Sequence, residues 1–248
     1  MSKPKVGIFG LTGCAGDQLA ILNCEEELLA LVDLLDIKDF LMASSANDEE
    51  VRLDVALVEG AVLSKRDQEK LEAIRARSDV LVALGTCALW GGIPVMDRDH
   101  DRETLLRAVY GDIGGTYDTC GARALHEVVK VDLGIPGCPI EKDEFLAAIG
   151  HLLHGDPPLA RGYPVCTECK MHEYGCLLAR PEGFCLGPLT AAGCGARCPA
   201  LGIGCVGCRG PAVDANYASA LAMYDERGVE RSLTVRRMRT FAATPVGA

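Results

Sequence analysis

Residues 5–17, KVGIFGLTGCAGD, begin as a short apolar run that ends in glycine and continue into a loop with a cysteine at position 14. From residue 18 to residue 35, apolar residues recur at spacings near three and four, which is typical of a helix with one face against a core. The stretch therefore predicts a strand, a loop and a helix, which together form the repeating unit of a parallel sheet.

The same order of elements recurs further along the chain. We expect strands at residues 54–58, 80–84 and, more weakly, 128–133, and helices at residues 64–78 and 142–153. Alternating strands and helices favour an α/β fold in which a doubly wound parallel sheet is covered on both faces.

One cysteine follows each of three predicted strands: Cys14, Cys87 and Cys138. Ligands of such sheets bind at the carboxyl ends of the strands, so the fold would bring these thiols to one rim. A single buried cysteine is often a small core residue. Three cysteines in equivalent loops predict a metal site instead, although the site has no obvious fourth thiolate.

Eight further cysteines lie in residues 166–208, where helical and strand periodicity is poor. The first set is Cys166, Cys169, Cys176 and Cys185, and the second set is Cys194, Cys198, Cys205 and Cys208. Disulfide frameworks belong to short secreted chains, so a long chain with CxxC pairs favours metal ligation. The spacings favour iron–sulfur clusters, and zinc stays open as the alternative. An interleaved division of the two sets is also possible.

Length and composition limit the classes of protein that the chain can belong to. Its 248 residues, 49% of them hydrophobic, can hold two modest domains, and the prolines at positions 157, 158 and 164 predict a linker between residues 1–156 and 157–248. A net charge of −10 argues against a nucleic-acid surface. No apolar run approaches the roughly 20 residues of a membrane span, and no leader is visible, so we expect a cytoplasmic location.

Five motifs occur in a specific order. They are GCAGD at 13–17, VEG at 58–60, GTCA at 85–88, PGCP at 136–139, and the segment from CLGP to CGARCP at 185–199. Together they resemble the small, electron-transferring subunit of NiFe hydrogenases, in particular the cytoplasmic multi-subunit branch that includes the sulfhydrogenases and the cofactor-coupled enzymes. The resemblance spans nearly the whole chain.

This resemblance implies three 4Fe-4S clusters. A flavodoxin-like amino-terminal domain would carry the proximal cluster, and a small, irregular iron–sulfur domain would carry the other two. Electrons would pass between the nickel–iron site of a separate large subunit and an acceptor subunit or ferredoxin-like carrier. In the large subunit, nickel is held by paired CxxC motifs, one near each terminus. That pair is absent here, so we expect this chain to lack the catalytic site.

The proximal cluster departs from the family pattern. The resemblance assigns Cys14, Cys87 and Cys138 to it. The first motif of the family is generally CxxC, and here Asp17 stands where that motif has its second cysteine. Asp17 is the preferred fourth ligand because it keeps the loop position, and an oxygen ligand to iron is chemically possible. Cys120 in a glycine-bearing loop is the next candidate. Cys24, about two helical turns further on, is expected to be a packed core thiol.

The resemblance bears on three further residues. In periplasmic relatives a histidine takes the first position of the distal set, which Cys166 occupies here, so an all-thiolate cluster of lower potential is expected. His172 nearby is expected to be exposed or hydrogen-bonded. Glu59 in VEG would either serve proton movement or be a buried, hydrogen-bonded carboxylate. The alternatives to a hydrogenase subunit are a subunit of a complex-I-like oxidoreductase and a zinc-stabilised interaction module.

Overall fold

The computed structural model describes residues 3–96, 100–156 and 161–242. The chain divides into two compact units, Met1–Pro158 and Leu159–Ala248, which we call unit 1 and unit 2. The linker prolines at positions 157 and 158 lie outside the described residues.

Unit 1 is built on a five-stranded sheet. Its strands are β1 (Lys5–Gly10), β2 (Asp36–Asp39), β3 (Leu53–Glu59), β4 (Ser78–Leu84) and β5 (Leu133–Ile135). The strand order is β2-β1-β3-β4-β5, and each neighbouring pair is parallel. This is the order of flavodoxin-like sheets, so the predicted fold class is confirmed.

Helices cover both faces of this sheet. The α-helices described in unit 1 are α1 (Gly16–Leu22), α2 (Glu25–Leu34), α3 (Lys65–Ala76), α4 (Gly85–Trp90), α5 (Arg102–Tyr110) and α6 (Lys142–Leu153). Of these, α5 buries no residue and belongs to neither core. Apolar residues of α1, α2 and α6 pack in one core with Leu57 of β3, whereas those of α3 and α4 pack in another with Ala56 and Val58. Because successive strand residues point to opposite faces, the sheet is buried on both sides.

The single helix predicted over residues 18–35 is wrong, because the chain breaks at Asn23 and Cys24. Cys24 precedes α2, and its side chain is fully buried in the core. Glu25, Glu26 and Glu27 then occupy the first turn of α2. Acidic residues stabilise the amino-terminal end of a helix, so this run favours a new helix start.

The strand predicted at residues 128–133 is also misplaced, since β5 begins only at Leu133. Val128, Val129 and Val131 are apolar because they pack against one of the two cores from irregular chain. Asp132 accepts hydrogen bonds from the N–H of Leu81 and from Arg75. These bonds hold the segment beside β4 without strand pairing.

Unit 2 contains little regular structure. Its α-helices within the described residues are α7 (Val165–Met171), α8 (Arg197–Ala200), α9 (Tyr217–Glu226) and α10 (Arg231–Arg239). One small apolar core joins α9 and α10 to Leu186 and Leu189, and another contains Cys169, Cys185 and Cys205. Throughout the described parts of the chain, each helix is too short or too polar to cross a bilayer.

Candidate functional site

Three loops at the carboxyl edge of the sheet carry the predicted proximal ligands. Cys14 follows β1, Cys87 lies in α4 directly after β4, and Cys138 lies in the turn after β5. Burial raises the pKa of both Cys87 and Cys138 to about 11, with the nearby Asp17 and Cys14 side chains adding to the rise. The structure therefore brings Cys14, Asp17, Cys87 and Cys138 together, and we call this group the rim site.

Hydrogen bonds tie the three loops to one another. The Asp17 Oδ1 atom accepts the N–H of Ile140 at 2.9 Å, which joins the first loop to the third. The N–H of Thr86 donates to the Gly137 carbonyl at 2.7 Å, and the N–H of Gly137 donates to the Thr86 hydroxyl at 3.2 Å. The relative positions of the rim thiols are thus fixed by the protein itself.

Glu59, at the carboxyl end of β3, anchors the loop that carries Cys14. Its Oε2 atom accepts the backbone N–H groups of Asp17 and Gln18 at 3.0 and 3.3 Å, and its Oε1 atom accepts the Gln18 amide at 2.6 Å. Glu59 is only 3% exposed. The geometry matches the second interpretation of the VEG motif, a buried and hydrogen-bonded carboxylate.

Asp17 occupies a narrow space within the rim site. Burial raises the pKa of its carboxyl group to about 6, the hydrogen bond from Ile140 opposes the rise, and Glu59 adds to it. A Cβ atom on Gly85 would lie 1.9 Å from Asp17 Oδ2, and Gly85 has a φ of +76°. Only glycine at position 85 leaves room for the Asp17 carboxylate in this position.

The two alternative proximal ligands make contacts of their own. Cys24 is fully buried in the core, and its thiol donates to the Ala20 carbonyl at 3.5 Å. Cys120 donates its backbone N–H to Leu63, and its sulfur lies 3.9 Å from the Arg123 guanidinium.

The first set of cysteines converges in unit 2. Cys166 and Cys169 lie on α7. Burial raises the pKa of Cys166 to about 11, and Cys185, Cys169 and Cys176 add to this rise. His172 at the end of α7 is exposed and stacks on Tyr174, as expected for a histidine that is not a ligand.

Cys205, of the second set, lies beside the first. Burial raises its pKa to about 12, hydrogen bonds from Thr190 and Gly207 oppose the rise, and Cys185 and Cys208 add to it. The backbone N–H of Cys205 donates to Cys185 Sγ at 3.2 Å. Cys194 packs against the small apolar core that contains Cys169, Cys185 and Cys205. Cys198 lies on α8. The two sets are thus neighbours within unit 2.

Glu168 is a functional candidate that the sequence analysis missed. Its carboxylate is buried and accepts the N–H groups of Gly193 at 2.8 Å and Ala196 at 3.3 Å, while Arg161 donates to it from the surface at 3.1 Å. These N–H groups flank Cys194, so Glu168 links the loop that carries Cys194 to α7, which carries Cys166 and Cys169. The available signal was an acidic residue between the cysteines of a CxxC pair.

Glycines keep open the space beside the sulfurs. A Cβ atom on Gly92 would lie 2.5 Å from Cys87 Sγ, and one on Gly187 would lie 3.3 Å from Sγ of both Cys166 and Cys185. Thiols with room beside them fit an iron–sulfur cluster, which prefers thiolate ligands. Over residues 3–96, 100–156 and 161–242, no three His, Cys, Asp or Glu side chains form a group that could hold a single metal ion.

Cysteine-bearing loops on the carboxyl edge of a flavodoxin-like sheet, followed by a cysteine-rich unit, define an α/β protein whose candidate ligands are thiols. The chain belongs to the family described as NADH ubiquinone oxidoreductase, 20 Kd subunit, which matches residues 14–152. It is 40% identical to sulfhydrogenase 2 subunit delta of Pyrococcus furiosus over 238 residues, which cover 96% of this chain and 99% of that relative.

Two further comparisons agree. The chain is 32% identical to a vhu subunit of the F420-non-reducing hydrogenase of Methanocaldococcus jannaschii, over 91% of this chain and 90% of that protein. A crystal structure of an NAD+-reducing [NiFe]-hydrogenase matches with a TM-score of 0.57 and 27% identity, over 64% of this chain and 95% of that chain. The chain is therefore homologous to hydrogenase subunits and is part of an oxidoreductase complex, which confirms the resemblance inferred from the motifs.

Proposed function

We propose that this chain is the electron-transfer subunit of a NiFe hydrogenase complex. It would pass electrons between the nickel–iron site of a separate large subunit and an acceptor subunit or ferredoxin-like carrier in the cytoplasm. The observation that carries the proposal is the rim site, where three loops remote in sequence bring Cys14, Cys87 and Cys138 together with Asp17. Iron–sulfur clusters, when bound, supply one-electron redox centres.

The rim site is the candidate for the proximal 4Fe-4S cluster, with Asp17 as the fourth ligand. The hydrogen bond from Ile140 holds one carboxylate oxygen of Asp17. The other oxygen, Oδ2, lies against Gly85, and the absence of a Cβ there provides the space that the side chain needs. Because burial raises the pKa values of Cys87 and Cys138, ligation would require these thiols to release their protons.

Unit 2 would hold the other two 4Fe-4S clusters, one on each set of cysteines. The effects of Cys185, Cys169 and Cys176 on the pKa of Cys166 support the sequential division, and the effect of Cys185 on the pKa of Cys205 supports the interleaved one. We further propose that units 1 and 2 correspond to a flavodoxin-like domain of residues 1–156 and an iron–sulfur domain of residues 157–248. Four thiols in the first set favour a low potential and a low-potential acceptor.

The family description favours a second candidate, a subunit of a complex-I-like oxidoreductase. The two candidates differ in their partners, because only the first requires a nickel-containing large subunit. Copurification with such a subunit would support the hydrogenase assignment, whereas a nickel-free complex that oxidises NADH with a quinone would support the alternative.

Metal analysis of the full chain, purified without oxygen, tests the proposed cofactors. Three 4Fe-4S clusters would give a brown protein that dithionite bleaches, with about 12 iron atoms per chain. A colourless protein with about two zinc ions per chain would instead indicate the zinc-stabilised module.

The variants Asp17→Cys and Asp17→Ala test the fourth proximal ligand. Asp17→Cys should retain three clusters and shift the reduction potential of the proximal one, because a thiolate replaces an oxygen ligand. Redox titration followed by EPR measures this shift. An unchanged proximal signal in both variants would show that Asp17 is not a ligand.

A further inference from the structure

Helices α9 and α10 of unit 2 carry side chains whose contacts no cysteine motif explains. Tyr224 and Arg227, on and directly after α9, and Arg237, on α10, contact the segment that leads from Cys176 to Cys185. We call these three side chains the carboxyl-terminal clamp.

Tyr224 contributes one atom that binds both sides of a cysteine. Its hydroxyl donates to the Cys185 carbonyl at 2.8 Å and accepts the Cys185 N–H at 3.0 Å. The ring is 1% exposed and stacks on Phe184 with 4.3 Å between centroids. Both backbone polar groups of Cys185 are therefore held by a single buried hydroxyl, which fixes the direction in which the cysteine side chain leaves the backbone.

Arg227 holds the turn that precedes Cys185. Its guanidinium donates to the carbonyl groups of Gly183 at 2.7 Å, of Arg180 at 3.1 Å and of Leu178. The planar, permanently charged guanidinium suits this role because it offers several donors in a fixed arrangement. Arg237 adds a cation–π contact, 4.4 Å above the Phe184 ring. The three side chains of the clamp thus hold in place a turn that has no regular secondary structure.

Cys185 is the thiol at which the two cysteine sets meet. A Cβ atom on Gly187 would lie 3.3 Å from Sγ of both Cys185 and Cys166 in its own set, and 3.8 Å from Cβ of Cys205 in the other. The Cys185 sulfur also accepts the Cys205 N–H at 3.2 Å. A displacement of Cys185 would consequently disturb the cluster held by the first set.

We propose that the carboxyl-terminal clamp positions Cys185 for ligation, with Tyr224 as the principal positioning residue. This inference rests on the proposed function, because it assigns the clamp to the cluster held by the first set. Residues that orient a metal ligand from behind typically change metal affinity or activity by about 10-fold to 100-fold when they are replaced. Arg227 and Arg237 are then part of a cofactor site.

The variant Tyr224→Phe tests the clamp in the full chain, because it removes one oxygen and keeps the stacked ring. The matched control is Tyr217→Phe on the same helix, whose hydroxyl has no hydrogen bond among the described residues. Iron release to a chelator and the EPR redox titration of each cluster are measured. Arg227→Lys provides a second variant, because it keeps the charge but loses the planar set of N–H donors.

Tyr224→Phe should release the iron of one cluster about 10-fold to 100-fold faster and shift the potential of that cluster only. Tyr217→Phe should behave as the wild type, and Arg227→Lys should affect the same cluster as Tyr224→Phe. Wild-type release rates and potentials in Tyr224→Phe, or an equal loss of all three clusters, would overturn the clamp and leave the proposed function intact. A wild-type chain without iron–sulfur clusters would overturn the proposed function and the clamp with it.

Discussion

Replacing Glu168 by Gln should loosen the loop that carries Cys194, because an amide has one acceptor oxygen where the carboxylate has two. The two oxygens of Glu168 accept the N–H groups of Gly193 and Ala196 at 2.8 and 3.3 Å. In the variant, the NH2 group would face one of these donors, and a buried N–H would lose its partner.

The expected cost follows from these contacts. A hydrogen bond to a charged group contributes about 1.5–3 kcal/mol to stability. The ion pair with Arg161, whose side chain is 46% exposed, adds at most about 1 kcal/mol. The free energy of unfolding should therefore fall by about 2–4 kcal/mol in Glu168→Gln.

Anaerobic urea unfolding of the full chain, followed by circular dichroism, measures this loss. The matched control is Glu182→Gln, which removes the same charge from an exposed position between Cys176 and Cys185. The control should change stability by no more than about 0.5 kcal/mol. Equal stabilities of Glu168→Gln and Glu182→Gln would refute the assignment of Glu168 as the anchor of the Cys194 loop.

Two further predictions concern unit 1. Burial alone would raise the pKa of Asp132, but hydrogen bonds from Lys130, Leu81 and Arg75 lower it from 3.8 to about 2. This stabilisation is present above about pH 4 and is lost as the pH falls through about 2. Urea unfolding should therefore show that Asp132→Asn costs about 1–2 kcal/mol at neutral pH and nothing near pH 2. An equal cost at both pH values would contradict this prediction. Gly85→Ala would place a Cβ 1.9 Å from Asp17 Oδ2 and should destabilise the chain by about 2–4 kcal/mol. Gly155→Ala, with the same φ of +76° and no atom within 4 Å, should cost only about 1–2 kcal/mol, and equal melting temperatures of the two variants would count against the crowding.

The sequence predicted the parts of the fold that depend on buried apolar runs. β1, β3 and β4 lie in the centre of the sheet, and their residues are apolar on both faces, so their pattern is clear. β2, with the sequence DIKD, and β5, with three residues, lie at the two edges and carry no comparable pattern. Edge strands are specified by their neighbours more than by their own composition.

The rim site was predictable for a geometric reason. Parallel strands end at one edge of the sheet, so the loops that follow β1, β4 and β5 lie along the same rim. By contrast, the contact between Tyr224 and Cys185 joins residues 39 positions apart, through a hydroxyl and a backbone peptide. A contact of this kind leaves no periodicity or spacing in the sequence, and only the folded chain reveals it.

An EPR-monitored redox titration of the full chain, purified without oxygen and compared with Asp17→Cys, tests the central claim most directly. We expect signals from three 4Fe-4S clusters, one of which changes its potential and signal shape when Asp17 is replaced by cysteine. Fewer than three clusters, or three clusters that are all insensitive to this substitution, would contradict the account.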